Sequence, residues 1–537
     1  MLERNAIPAP ATGERPALYA DRLGQRYCAG LSPGRRKDLG QYFTPPAVAD
    51  MMAECAEIPS GSVSILDPGA GSGILTCALC ERLARGANPP TAVTVRAYEI
   101  DQRLASLLDN ALAYLGSYLD ERGIRLSYHI ATEDFVQVNG GRQSPDGHLF
   151  ANDGHGQQYD IAIANPPYFK LAKSDRRARS ADYVVHGQPN IYSLFMAVSA
   201  SLLREGGELI FITPRSYASG PYFRRFREVL FSKVRPTRLH VFDSRSKAFQ
   251  RDSVLQENVI TVARRETAWC SDESSPCEVI SSSNGAHDLH ARRERCVPVG
   301  SVLDMRTRDK VLSIPTDAYA DDIRSLVHSW TGSLHAYGLQ ISTGPVVAFR
   351  AAQHIITVPD SENWAPLLWL QNVRPMQTSW PTTLGRKPQY MQVKPRSLPL
   401  LLPNTNYVLL RRFSSKEQPK RLVAAPWLPH STTSEWLGVE NHLNYIYRAR
   451  GELTVNEALG LAVLLNSELL ETYFRCINGN TQVSATELRA MPLPPLEAIA
   501  EMGRLAAQRV DPSADVGALV CRVLDGVSFV GGEEATG

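Results

Sequence analysis

Over the first 265 residues the apolar positions gather into short runs, each ending in small, acidic or proline-containing turns. Runs at 63–66, 92–100, 126–130 and 159–164 read as strands, and 74–83 carries the apolar spacing of a helix. Strand, glycine-rich turn and helix, followed by further strands, predict an α/β sheet that binds ligands at the carboxyl ends of its strands. After residue 265 the pattern changes. Residues 266–295 are rich in Ser, Cys, Glu and Arg and read as a linker or irregular connection. From Ile341 short strand-like runs alternate with Pro and Asn, 458–474 reads as one amphipathic helix, and Met491-Pro-Leu-Pro-Pro495 as the turn closing it. Residues 529–537 read as a frayed tail.

The 537 residues suffice for two to four domains, and 43% hydrophobic with 21% charged residues is ordinary for a folded protein. No run is long and apolar enough to span a bilayer, and no signal-like pattern stands at the N-terminus, so a cytoplasmic protein is expected. Cys77 and Cys80 form a C-x-x-C without a second pair at zinc-finger spacing, so they read as helix packing and no metal site is expected. Between Ile341 and Arg450, 13 Lys/Arg stand against 5 Asp/Glu, a net +8 in a chain whose total is +2. That basic segment fits a polyanion partner, and a solvated basic face is the plain alternative.

Candidate chemistry gathers at the ends of the four early runs. Asp67-Pro-Gly-Ala-Gly-Ser-Gly73 follows the first and lets backbone approach a nucleotide-like ligand closely. Its spacing is G-x-G-x-G and not the dinucleotide pattern. Glu99 ends the second run, where a carboxylate can accept from vicinal ribose hydroxyls. Asp134-Phe135 follows the third, where an acid can accept from a purine amine while the ring packs on the base. Singly, each acid reads as well as a helix cap. After the fourth run comes Asn165-Pro166-Pro167-Tyr168. The Asn oxygen and a proline-fixed carbonyl can accept the N–H bonds of a planar amine, and the Tyr face can stack on its ring. A Pro-rich turn is the equal reading of the tetrapeptide alone.

Taken in order, these motifs resemble the S-adenosylmethionine-dependent DNA adenine methyltransferases, specifically the TaqI-like group with its specificity region at the C-terminus. The resemblance covers Gly40-Gln-Tyr-Phe-Thr-Pro45, Asp67 to Gly73, Glu99, Asp134-Phe135, the Asn165 tetrapeptide, Asn190-Ile-Tyr-Ser-Leu-Phe195, Gly206-Gly207 to Pro214, and Lys247-Ala-Phe249 ahead of Val259-Ile260. It implies an α/β, class I (Rossmann-like) methyltransferase domain over 40–265 after an N-terminal extension at 1–39. A connection at 266–340 would lead to a mixed α+β target-recognition domain at 341–528. By resemblance the cofactor is S-adenosyl-L-methionine, held by Tyr42, Thr44, Asp67, Pro68, Gly69, Gly71, Glu99, Ile100, Asp134, Phe135, Asn165 and Phe195. Asn165, Pro166, Pro167 and Tyr168 are the implied catalytic residues, with Tyr168 and Phe249 stacking on a flipped base.

Ser342–Arg350 and Tyr407–Glu417 resemble the specificity region of PstI/BsuBI-like modification enzymes, which makes Arg350, Arg411, Arg412 and Lys416 candidate DNA contacts. The implied activity is site-specific transfer of methyl to N6 of adenine in double-stranded DNA. It would protect a bacterial host's DNA from a separate cognate restriction endonuclease, with a monomer acting alone. A fused nuclease is not expected, since 39 residues precede Gly40 and no Asp…Glu-x-Lys cluster stands out. The other readings are a methyltransferase of RNA adenine or protein glutamine, and a catalytically idle DNA-binding subunit. Two stretches depart from the family pattern. Residues 139–158 read as a surface insertion, and the loop 169–189 carries Lys170, Lys173, Arg176, Arg177 and Arg179, suited to closing over the target or meeting phosphates.

Overall fold

The computed structural model describes residues 7–31, 43–143, 158–187, 189–242, 257–271, 277–283, 285–359, 363–382, 387–414, 418–429, 432–478 and 482–525. Tyr42, Phe249 and Lys416, and most of the 139–158 insertion, lie outside these residues. The chain divides into two compact units, Met1–Thr316 and Asp317–Gly537.

The first unit is built on a nine-stranded sheet. Its strands are β1 (Ser62–Asp67), β2 (Ala92–Tyr98), β3 (Arg125–Ala131), β4 (Tyr159–Ala164), β5 (Leu203–Pro214), β6 (Val234–Phe242), β7 (Asn258–Arg265), β8 (Cys277–Ser283) and β9 (Arg293–Pro298). The order is β3-β2-β1-β4-β5-β7-β6-β8-β9. Strands β1 to β5 pair in parallel, and β7 enters antiparallel between β5 and β6. This is a doubly wound, Rossmann-like sheet, as the motifs led one to expect. The central strands read as continuous apolar runs because both faces are covered. Ile65, Ile161, Ile163 and Ile210 belong to one buried cluster, and Leu66, Ala162, Leu209 and Phe211 to the other. Reversal of strand order beside β1 leaves a crevice at the carboxyl ends of β1 and β4.

Two expectations about boundaries are corrected. The N-terminal segment carries a helix, Pro16–Ala29, whose Ala17, Tyr19, Ala20 and Leu23 are buried in the same cluster as Leu75 and Leu79. Arg15 ties it down through Glu81 (2.7 Å) and Asp50 (2.5 Å). The segment read as a connection supplies β8 and β9 to the main sheet, with β8 pairing in parallel with β6 over Arg238–Phe242 and Val279–Ser283.

The second unit is mixed α and β, as expected of the C-terminal region. It opens with the helix Ala318–His328, which the sequence reading had placed in the connection. One antiparallel sheet holds, in spatial order, Leu339–Thr343, Leu443–Arg448, Tyr407–Arg411 and Ala424–Trp427. A five-stranded sheet accompanies it. The single helix expected at 458–474 is two, Val455–Asn466 and Glu468–Ile477, divided at Ser467. Ser467 is extended (φ −69°, ψ 150°), and its hydroxyl accepts from Leu470 N, so a serine cap starts a new helix inside an unbroken apolar pattern.

Candidate active site

A cavity of about 290 Å³ opens at the carboxyl ends of β1, β2 and β4. The turn after β1 shapes its floor. Gly71 and Gly73 take φ of +57° and +88°, and a Cβ at Gly73 would stand 2.7 Å from Leu108 Cδ1. Left-handed backbone and this close approach, which Leu108 would have to shift to relieve, strongly favour glycine at position 73, the N-cap of the helix Ile74–Ala84. The turn is pinned across the cavity mouth, where Gly71 N donates to Glu99 Oε2 (3.0 Å) and Asp101 N donates to Glu99 Oε1 (2.9 Å).

Glu99 is 7% exposed, and burial raises its pKa to about 7 against those two hydrogen bonds. Asp67 has a different place from the one expected. It is fully buried beneath the turn and does not line the cavity; its Oδ2 accepts from Thr76 Oγ1 (2.7 Å), and burial raises its pKa to about 7. Its observed contact is therefore inside the fold, between strand end and helix.

Glu133 and Asp134 complete an acidic wall. Asp134 is also the N-cap of the short helix Phe135–Asn139, with Oδ1 accepting from Gln137 N (3.0 Å). Both readings of this acid thus apply to one residue. Aromatic rings line the cavity as well, with Phe135 packing against Tyr98 (5.1 Å between ring centres) and Phe195 (5.2 Å). Phe195 comes from the helix Ile191–Leu202, which follows Asn190 as the motif order required. Pro68 and Ile100 flank the opening, and Ile100 is 64% exposed.

The tetrapeptide after β4 reaches the cavity through Asn165 and Pro167. Asn165 Nδ2 donates to Thr44 Oγ1 (3.1 Å), and Asn165 Oδ1 accepts from the Tyr168 hydroxyl (2.5 Å). The same hydroxyl lies 3.0 Å from the Ile212 carbonyl. Tyr168 is 8% exposed, stands edge-on to Tyr192 at 6.2 Å, and does not line the cavity, nor does Pro166. The expectation that Tyr168 offers an open stacking face is not met in this arrangement. Its ring is packed, and its hydroxyl serves the Asn165 oxygen.

Several lining residues were not among the expected cofactor contacts, though the sequence reading had quoted Phe43 within the Gly40–Pro45 motif and Arg177 within the basic loop. Phe43 lines the cavity and sits against the N-terminal helix, where a Cβ at Gly24 would come within 2.8 Å of its ring. Phe169 and Arg177 also line it, with the Arg177 guanidinium 5.3 Å from the Phe169 ring centre and paired to Asp175 at 2.7 Å. Phe43 and Phe169 adjoin Thr44 and the tetrapeptide, so adjacency to a motif was the available signal. Cys77 and Cys80 are buried in the helix after the turn. Among the described residues no group of His, Cys, Asp and Glu is placed to hold a metal ion. None of the described helices is long and apolar enough to cross a membrane.

In the second unit, Arg350 is exposed, whereas Arg411 Nε donates to the Val373 carbonyl (2.7 Å) from a half-buried position. Desolvation there lowers the Arg411 pKa, so this side chain is held within the unit more than offered to a partner. Arg412 donates to the Asn441 carbonyl (3.0 Å) and lies near Gln482 (3.4 Å).

Comparison with known proteins fits this architecture. Residues 102–249 match the model of the Eco57I restriction-modification methylase family. The chain is 33% identical over 486 residues to the type II methyltransferase M.PstI of Providencia stuartii, covering 90% of this chain and 92% of that one. It is 31% identical over 481 residues to M.BsuBI of Bacillus subtilis, covering 89% and 91%. Among solved structures, the DrdV–DNA complex is similar at a TM-score of 0.46 and 13% identity, over 91% of this chain and 59% of that one. The identity to M.PstI and M.BsuBI extends through both units, and the chain belongs to the PstI/BsuBI-like family of type II restriction-modification methyltransferases.

Proposed function

We propose that the protein transfers the methyl group of S-adenosylmethionine to the exocyclic N6 of a flipped adenine in double-stranded DNA. The observation that carries this reading is the placement of Asn165 at the rim of an acidic, aromatic cavity, with its carboxamide held at both ends. The cavity suits a cationic purine nucleoside. Glu133 and Asp134 supply negative charge, joined by Glu99 when a bound cation favours its ionised form; the one cation among the lining residues, Arg177, is paired to Asp175, and Phe135 and Phe195 offer an apolar slot. Glu99 would accept from the ribose hydroxyls, Asp134 from the purine amine, and Phe135 with Phe195 would hold the ring. The bound cofactor supplies an electrophilic methyl group on a sulfonium.

An adenine amine is a poor nucleophile because its lone pair is delocalised into the ring. Asn165 Oδ1 and the Pro166 carbonyl would accept its two N–H bonds and favour a tetrahedral nitrogen. In the structure the Tyr168 hydroxyl bonds Oδ1, yet its single proton has a second acceptor in the Ile212 carbonyl. Asn165 Oδ1 carries a second lone pair, so it can accept the amine N–H while the Tyr168 hydroxyl holds the first. Thr44 meanwhile holds Nδ2 and keeps the oxygen facing the substrate side. The amine becomes acidic only as the new N–C bond forms, so this arrangement needs no strongly perturbed general base. A base inside a duplex cannot reach a recessed cavity, which requires flipping.

On this reading the +8 segment between Ile341 and Arg450 meets the DNA backbone. Expected partners are double-stranded DNA and, functionally, a separate restriction endonuclease of matching specificity, with the protein acting as a monomer in the bacterial cytoplasm. Asn165→Ala is expected to abolish methyl transfer while leaving the S-adenosylmethionine dissociation constant within about threefold, by calorimetry and labelled-methyl incorporation. Turnover retained in that variant would remove Asn165 from the mechanism.

A further inference from the structure

At 79% exposure, Phe349 is the most exposed aromatic side chain among the described residues. It is not on a loose loop. Gly344 N donates to the Leu443 carbonyl (2.9 Å), Val346 N to the Val439 carbonyl (3.1 Å), and Asn441 N to the Val346 carbonyl (2.9 Å). A Cβ at Gly344 would stand 2.4 Å from the Glu440 carbonyl oxygen, so the two backbones are in close contact. Val346 and Ala351 are buried on either side, and Arg350 N and Ala351 N both donate to the Val347 carbonyl, at 2.9 and 3.0 Å. The loop is therefore held at its base, and its tip, Phe349-Arg350, projects into solvent. A single exposed phenylalanine is common on protein surfaces; what sets Phe349 apart is that the anchored loop presents its ring next to a guanidinium on a basic segment.

The surroundings define the partner it suits. The Arg350 guanidinium lies 5.4 Å from the Phe349 ring centre and has no carboxylate partner among the described residues. The 440–443 turn that anchors the loop also receives Arg412, through Arg412 N to the His442 carbonyl (2.9 Å) and Arg412 Nη1 to the Asn441 carbonyl (3.0 Å). His442, its side chain 47% exposed, packs against Phe413 at 4.9 Å. Arg350 thus stands beside the aromatic tip, and the anchoring turn below it carries Arg412 and His442, the latter paired to Glu440 at 2.5 Å, within the segment of net charge +8. A protruding ring with a cation beside it, on a basic segment, matches the wedge that DNA-bending proteins insert between base pairs, with the cation on a neighbouring phosphate.

We propose that Phe349 inserts into the base stack of the DNA bound by this unit, with Arg350 on an adjacent phosphate. This rests on the reading of the protein as a DNA methyltransferase and adds the side chain by which its second unit deforms the duplex. The test uses the full-length protein and a duplex containing a sequence that the wild type modifies, with 2-aminopurine moved stepwise along it. Wild-type protein should raise fluorescence at the methylated adenine and also at one further step. Phe349→Ala should lose the signal at that further step and bind about 10-fold more weakly, with an unchanged slope of log affinity against log salt. Phe349→Trp should retain both. Arg350→Ala should instead lower the salt slope by about one.

Thermal stability and S-adenosylmethionine affinity should match wild type in all three variants. A Phe349→Ala variant that binds as tightly as wild type overturns the proposal. So does weakened binding without a lost fluorescence position, which would make Phe349 a groove contact. Loss of self-association at unchanged DNA affinity would assign the ring to a second copy of this chain. If the wild-type protein neither methylates nor binds DNA, the functional reading and the wedge fail together.

Discussion

The Asn165 carboxamide has a donor end and an acceptor end, and each meets a different side chain. Thr44, 3% exposed, takes the donor end from a segment 121 residues earlier in the chain. Thr44→Val should lower kcat about 10-fold, because it removes the Thr44 acceptor that orients Nδ2, at a cost of about 1–3 kcal/mol. Thr44→Ser should recover most of the loss, and single-turnover rates at saturating cofactor distinguish the two. Tyr168→Phe leaves Asn165 Oδ1 and the Ile212 carbonyl without that donor. It should destabilise the fold by about 1–3 kcal/mol, measured as a shift in the denaturant midpoint at unchanged m-value. The sequence showed which residues cluster here, since Asn165, Glu99 and Phe195 all reach the cavity. It did not show that Tyr168 turns its hydroxyl inward or that Asp67 lies beneath the turn. Both follow from packing against partners distant in the chain, which a motif does not encode.

At the scale of elements, β1, its turn and the following helix were legible because local rules agree there: an apolar run, two glycines at positive φ, then helical spacing. Gly73→Ala combines a left-handed backbone with a Cβ 2.7 Å from Leu108 Cδ1. It should cost about 2–3 kcal/mol and weaken cofactor binding, measured by chemical denaturation and by titration calorimetry. β8 was not legible. Its Ser281, Ser282 and Ser283 read as linker, yet all three are buried. The buried His240 ring accounts for two of them, with Nδ1 2.9 Å from Ser281 Oγ and Nε2 3.0 Å from Ser283 Oγ. Burial holds His240 well below the usual histidine range, to about 3, so the ring is neutral and one nitrogen accepts while the other donates. A polar strand satisfied by a distant histidine leaves no apolar periodicity to read. The break at Ser467 was missed for the opposite reason, since the apolar pattern runs straight through it.

For the whole molecule, two buried carboxyls make stability depend on pH. Asp67 and Glu99 both have folded-state pKa values near 7, raised by burial from 3.8 and 4.5. The folded state then holds protons that the unfolded chain has released, so this stabilisation is present below about pH 4 and is lost as pH rises through 7. The unliganded protein should show a flatter fall in melting temperature between pH 5 and pH 8 when Asp67 is replaced by Asn; an unchanged slope would mean that Asp67 is ionised throughout. Charge is divided as the two units suggest, with a net +8 in Ile341–Arg450 of a chain totalling +2. That asymmetry was visible in composition alone. The unit boundary at Thr316 was not, because β9, at the sheet edge, buries only Val297 and resembles a loop in sequence.

The central claim is that Asn165 presents an adenine amine for methylation. It is tested most directly by incubating the purified protein with methyl-labelled S-adenosylmethionine and unmethylated bacterial DNA, then digesting that DNA to nucleosides. The account predicts label in N6-methyladenine and none when Asn165→Ala is used. Label in a cytosine derivative, or in RNA or protein with none in DNA, would contradict it.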